Sequence, residues 1–71
     1  MKNIQAILFN RNEWTLEETK NYLKHHNIIP IKKVHKTKQF YRYRLINPDS
    51  NKYKYYTKKL NNGIDLIIYS I

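Results

Sequence analysis

The chain has no cysteine, one glycine, two prolines and only five acidic residues among its 71. Without thiols there is neither a disulfide framework nor a thiolate metal site, and the redox compartment is marked only as consistent with a reducing one. A single glycine, Gly63, excludes a glycine-rich phosphate loop. No apolar run approaches the roughly 20 residues needed to span a bilayer. The run near the start, Ala6 to Phe9, is also too short for the core of a signal peptide. These absences predict a soluble, intracellular product without a membrane partner. The length predicts one small domain over residues 1–71, and a chain of this size hides only about 60% of its unfolded surface, so a dimer or another partner would add stability.

What is abundant is positive charge, and it is local. Fourteen Lys and Arg give a net charge of +9. Between Ile31 and Leu60 stand Lys32, Lys33, Lys36, Lys38, Arg42, Arg44, Lys52, Lys54, Lys58 and Lys59, with Asp49 as the single acid. Each Lys or Arg set against a phosphate releases a condensed counterion, so a field of one sign confined to one region suits a polyanion. The plain alternative is a solvated face enriched in Lys, Asn, Ile and Tyr by AT-rich codons. Such a bias explains the amount of lysine but not a segment almost emptied of acids.

Side-chain periodicity gives the order β-α-β-β-β-β. Ile4 to Phe9 is apolar on both faces and reads as an inner strand. Thr15-Leu16-Glu17-Glu18 has the capping-box form and starts a helix, Glu17 and Glu18 complement the positive end of its dipole, and Lys24, His25 and His26 the negative end. Asn27 suits a left-handed stop, and Pro30 prevents resumption. Leu16, Thr19, Leu23 and His26, with Tyr22, form the helix stripe. Ile31 to Thr37 reads as an edge strand guarded by lysines. Gln39 to Ile46 follows, and Asn47-Pro48-Asp49-Ser50 turns the chain into Lys52 to Leu60. Asn61-Asn62-Gly63 turns it again into Ile64 to Ile71. The expected architecture is α+β, a mostly antiparallel sheet of four to five strands with one helix on one face.

Alternation then assigns faces. Tyr41, Tyr43, Leu45, Tyr53 and Tyr55 make the better core set beneath the helix, which leaves Phe40, Arg42, Arg44, Lys54, Tyr56 and Lys58 together on the open face. A one-residue bulge would reverse this, burying Phe40 and exposing Tyr41 and Tyr43. Rings interleaved with cations are what a nucleic acid strand asks of a sheet, because bases stack on rings at about 1–3 kcal/mol each while cations hold the phosphates. Arg42 and Arg44 can also stack or grip a guanine edge. The competing explanation is that Tyr is a good strand former and that Tyr and Arg pairs stabilise a hairpin.

Catalysis and cofactors are not expected. His25 and His26 are neighbours on a helix and do not share a metal in the usual i, i+4 geometry, and His35 is isolated. Glu13, Asp49 and Asp65 show no close pairing that suits a nuclease. A toxin-type ribonuclease would need His35 as its acid or base. Trp14, just before the helix, is expected to close one end of the core.

Trp14-Thr15-Leu16-Glu17-Glu18-Thr19-Lys20-Asn21-Tyr22-Leu23-Lys24-His25-His26 and Tyr41-Arg42-Tyr43-Arg44, followed by Pro48, Thr57-Lys58-Lys59 and Gly63-Ile64, carry a resemblance. The chain resembles a short uncharacterised basic domain of tailed phages and large DNA viruses, in which a "W-T-x-E-E-A-x-x-W-L-x-x-H" helix precedes an aromatic-Arg-aromatic-Arg strand, a proline turn, a Thr-Lys-Lys pair and a Gly-Ile strand. Tyr22 stands where that domain commonly has Trp. Leu45 stands where Gln is usual, so no amide follows Arg44. The resemblance implies a viral protein of the infected cytoplasm or nucleus, or of the virion, and implies no activity. The leading expectation is a non-enzymatic accessory protein that binds single-stranded or duplex nucleic acid through Arg42, Arg44, Lys54 and Lys58 on phosphates and Phe40 and Tyr56 on bases. The rival expectation is an assembly module whose same face meets a second copy, as a homodimer, or an acidic viral protein partner.

Overall fold

The computed structural model describes residues 3–70. Its elements are β1 (Ile4–Asn10), α1 (Leu16–His25), β2 (His35–Lys36), β3 (Phe40–Arg44), β4 (Lys54–Lys59) and β5 (Ile64–Ser70). The strand expected to reach Ile71 ends at Ser70, and Ile71 itself lies outside the described residues. The strands form one antiparallel sheet in the order β2-β3-β1-β5-β4, and α1 packs on one of its faces. This is the α+β architecture that the periodicity predicts. Among the described residues no helix is long and apolar enough to cross a membrane.

The helix forms where its end signals stand. Thr15 is the N-cap: its hydroxyl accepts from the Glu18 N–H at 3.2 Å, and the Glu18 carboxylate accepts from the Thr15 N–H at 2.8 Å. The backbone N–H and then the hydroxyl of Thr15 hold the Glu18 carboxyl below its ordinary value. Because a lowered folded-state value favours the ionised form, this capping contribution is complete above the ordinary range and is lost as the pH falls through the lowered value. At the other end Asn27 takes the left-handed conformation (φ 56), its N–H donates to the Lys24 carbonyl, and the Ile28 N–H donates to the Leu23 carbonyl. Those two bonds form a Schellman stop, in which Ile28 packs back toward the core.

The core lies between α1 and the middle of the sheet. Ile7, Phe9 and Ile64 are fully buried, joined by Ile4, Leu23, Tyr43 and Leu66. Phe9 is its aromatic centre, in edge-to-face contact with Trp14 at 5.0 Å, Tyr22 at 5.4 Å and Tyr43 at 5.7 Å. Such pairs contribute about 0.5–1.5 kcal/mol each beyond their buried area. Trp14 does close one end, its indole N–H donating to the Asn62 carbonyl at 2.8 Å. Thr19 and Tyr43 share a buried hydroxyl–hydroxyl bond of 2.6 Å, which satisfies both polar groups inside the core.

A bulge sets the phase of β1. Ile4 opposes Ile68 while Ala6 opposes Ile67, so Gln5 is the extra residue. Both Ile4 and Ile7 thereby turn toward the helix, and Ala6 and Leu8 toward the other face. Gln5 is 1% exposed, and its amide donates to the Ile46 carbonyl at 2.9 Å, pinning the chain where it leaves β3.

Candidate nucleic-acid interface

Directly opposed residues of antiparallel neighbours share a face, so the registers trace rows across the sheet. On the face away from α1 one row crosses all five strands: His35, Arg42, Leu8, Asp65, Lys59. The row beside it runs Arg44, Ala6, Ile67, Thr57. Phe40 stands beyond Arg42 opposite Asn10, and Tyr55 opposes Tyr69 at the diagonally opposite corner. Among the described residues no helix covers this face. Its floor is the half-buried Leu8 and Ile67 together with Ala6, which its neighbours seal completely.

The six residues expected to share that face do not all do so. Phe40, Arg42 and Arg44 lie on the open face, as expected. Lys54, Tyr56 and Lys58 oppose Ser70, Ile68 and Leu66, which places them on the helix side of the sheet. Nor are the two groups adjacent, since β1 and β5 separate β3 from β4. Three strand spacings make that separation about 14 Å. The correction has a physical cause. β4 is an edge strand outside the helix's cover, so Lys54, Tyr56 and Lys58 stay exposed on the very side where burial was expected to select apolar residues. Tyr53 and Tyr55, expected beneath the helix, instead form an open-face cluster: the rings of Tyr53 and Tyr69 lie 4.7 Å apart, and the Tyr55 hydroxyl accepts from the Asp49 N–H.

The strongest concentration of charge on the open face lies at its β2–β3 side. Lys32, Lys33, His35, Arg42 and Arg44 line a cleft of about 250 Å³ with no acidic residue in its wall. The local chain path makes it concave. The Ile31 N–H donates to the Arg44 carbonyl at 2.9 Å, so the segment before β2 doubles back along β3 and carries Lys32 and Lys33 over Arg44. Val34 anchors that segment by packing against the core, which turns His35 to the open side opposite Arg42. At the far end Thr37 closes the β2–β3 hairpin, its hydroxyl accepting from the Phe40 N–H at 2.9 Å. Arg42 is half-buried, and its Nε is fully buried with no hydrogen-bond partner among the described residues.

Sequence reasoning missed Lys32, Lys33, His35 and Lys59 as members of this face. The stretch from Ile31 to Leu60 contains all of them, but only the cross-strand register places His35 and Lys59, and only the bond from Ile31 to Arg44 brings Lys32 and Lys33 to the cleft. Of the five acids, Asp65 alone lies on a strand, and it sits in the row between Leu8 and Lys59. Other candidates stay apart from the cleft. His26 packs on Tyr22 with ring centroids 4.3 Å apart, and Glu13 lies against Gly63 in the turns. Among the described residues no three His, Asp or Glu side chains converge as a metal site would require. No protein-family model matches the chain, and neither the curated proteins nor the solved structures contain a match.

Proposed function

We propose that this protein binds single-stranded nucleic acid on the uncovered face of its sheet and does not act on it chemically. The carrying observation is the acid-free cleft of Lys32, Lys33, His35, Arg42 and Arg44 on that face. A strand lying over it places phosphates at Arg42 and Arg44, which fork-shaped guanidinium groups hold by paired hydrogen bonds. Phe40, next along β3, offers a ring to a base, and Tyr55 and Tyr69 offer others at the opposite corner. Lys54, Tyr56 and Lys58, on the other side of an edge strand, contribute only to the general field. The domain of phages and large DNA viruses that the sequence resembles supplies a setting of genome handling or virion assembly.

The test is the affinity for single-stranded DNA, RNA and duplex at two ionic strengths. For single strands, log affinity is expected to fall with log salt by about 0.7 per phosphate contacted. A sheet face that interleaves rings with cations favours single strands over duplex. Absence of binding at low salt ends the proposal.

One observation favours a second reading. Leu8 and Ile67 lie half-buried at the centre of the face opposite α1, which suits a protein partner such as a second copy. Sedimentation at micromolar concentration separates the two: a tight dimer that hides Phe40 and Arg42 supports assembly, and a monomer supports nucleic acid.

A further inference from the structure

We infer that the cleft at the β2–β3 side seats a terminal oligophosphate, such as the 5′ di- or triphosphate of a strand or of a nucleotide, and not merely a stretch of phosphodiester backbone. The inference rests on the anion-binding reading above and narrows it to a ligand class.

Charge density is the first argument. A phosphodiester carries one charge, and along an extended strand successive phosphates lie about as far apart as Arg42 and Arg44 do, two strand residues or roughly 7 Å. Backbone alone therefore brings one or two charges into the cleft, against the four formal cations of Lys32, Lys33, Arg42 and Arg44 with His35 beside them. A terminal oligophosphate packs one charge on each bridging phosphate and up to two on the last into the same space. Such a group matches the lining, while a single diester leaves most of it uncompensated.

The composition of the wall is the second argument. Four of its five residues are Lys or Arg, and it holds no Phe, Tyr or Trp and no carboxylate or amide, so only His35 and the arginine planes could touch a base. Phosphate is therefore the group this lining chiefly recognises, with the nucleoside secondary. Phe40, two residues from Arg42 on the same face of β3, then stands where the first base of a strand would follow.

The test uses one short RNA with a 5′-triphosphate, a 5′-monophosphate or a 5′-hydroxyl, measured by fluorescence anisotropy, with inorganic tripolyphosphate and a nucleoside triphosphate as competitors. The triphosphate end is expected to bind about tenfold more tightly than the hydroxyl end. Lys32→Ala/Lys33→Ala should erase most of that difference while changing hydroxyl-end binding less, and circular dichroism checks that the variant is folded. A nucleoside triphosphate that competes as well as the triphosphate RNA assigns the cleft to free nucleotides, and one that competes poorly assigns it to strand ends; both support an oligophosphate seat. Equal binding of the three ends, or no competition by tripolyphosphate, overturns the inference even if RNA binds. Failure of the hydroxyl-end RNA to bind, with tripolyphosphate still bound in a calorimetric titration, overturns the nucleic-acid reading and leaves the oligophosphate seat standing.

Discussion

The two edges of the sheet divide between them the ten cations of residues 31–60, six toward β2–β3 and four toward β4. On the β4 side they disperse: Lys54 and Lys58 face the helix side, Lys59 faces the open side, and the Lys52 ammonium lies over the Tyr53 ring at 5.2 Å. On the β2–β3 side four of the six converge on one cleft. The difference lies in chain path. A straight hairpin strand alternates its charges between two faces, whereas a segment hydrogen-bonded back over its neighbour at Ile31 and Arg44 stacks them on one. Net charge predicts attraction to polyanions in both regions, but only the folded-back one concentrates it at a point.

The sharpest way to break that contrast is Arg42→Ala/Arg44→Ala. Loss of two charge-assisted contacts is expected to lower single-strand affinity about 100-fold and to reduce the salt slope by about 1.4. Arg42→Lys/Arg44→Lys, which keeps the charge but loses the fork, should recover only part of it. Next comes Gly63→Ala in the β4–β5 turn. Gly63 has φ +78, and a Cβ there would meet the Glu13 carboxylate, which can turn away, and the Glu13 Cβ at 3.2 Å, which must shift by a few tenths of an ångström. The remaining backbone strain should cost about 1–2 kcal/mol in thermal or denaturant unfolding, with binding by the folded protein unchanged. A smaller gain is expected from Asp65→Asn, which removes the one acid in the strand rows and should tighten single-strand binding about threefold at low salt. Smallest of all should be Lys54→Ala/Lys58→Ala, which should alter affinity by less than about twofold, since a charge distant from the contact acts only through a screened field. An effect as large as that of the arginine pair would erase the distinction between the edges.

Local rules made much of the fold readable. The capping box at Thr15 and Glu18, the left-handed stop at Asn27 and the Asn-Gly turn at Gly63 all act within a few residues, and each stands where the sequence puts it. The open-face placement of Phe40, Arg42 and Arg44 was equally legible, because Tyr41 and Tyr43 flank them with rings that the core takes up. The β4 half of the site was not. Its face depends on which strand it pairs with, and consecutive strands β3 and β4, which look like a hairpin, lie on opposite sides of the β1–β5 centre. Alternation in β4 offers no correction, since nearly every residue there is exposed whichever way it points. The cleft was hidden for another reason: the bond from Ile31 to Arg44 joins an irregular segment to a strand, and no periodicity encodes it.

The position of β1 has a further consequence for how the molecule comes into being. It precedes both of its neighbours in the chain yet stands at the middle of the sheet, flanked by β3 on one side and by the distant β5 on the other. During synthesis the apolar edge of Ile4–Asn10 therefore waits without its second neighbour until residues 64–70 have emerged. Closing so distant a contact is the slow step of a small β-rich chain.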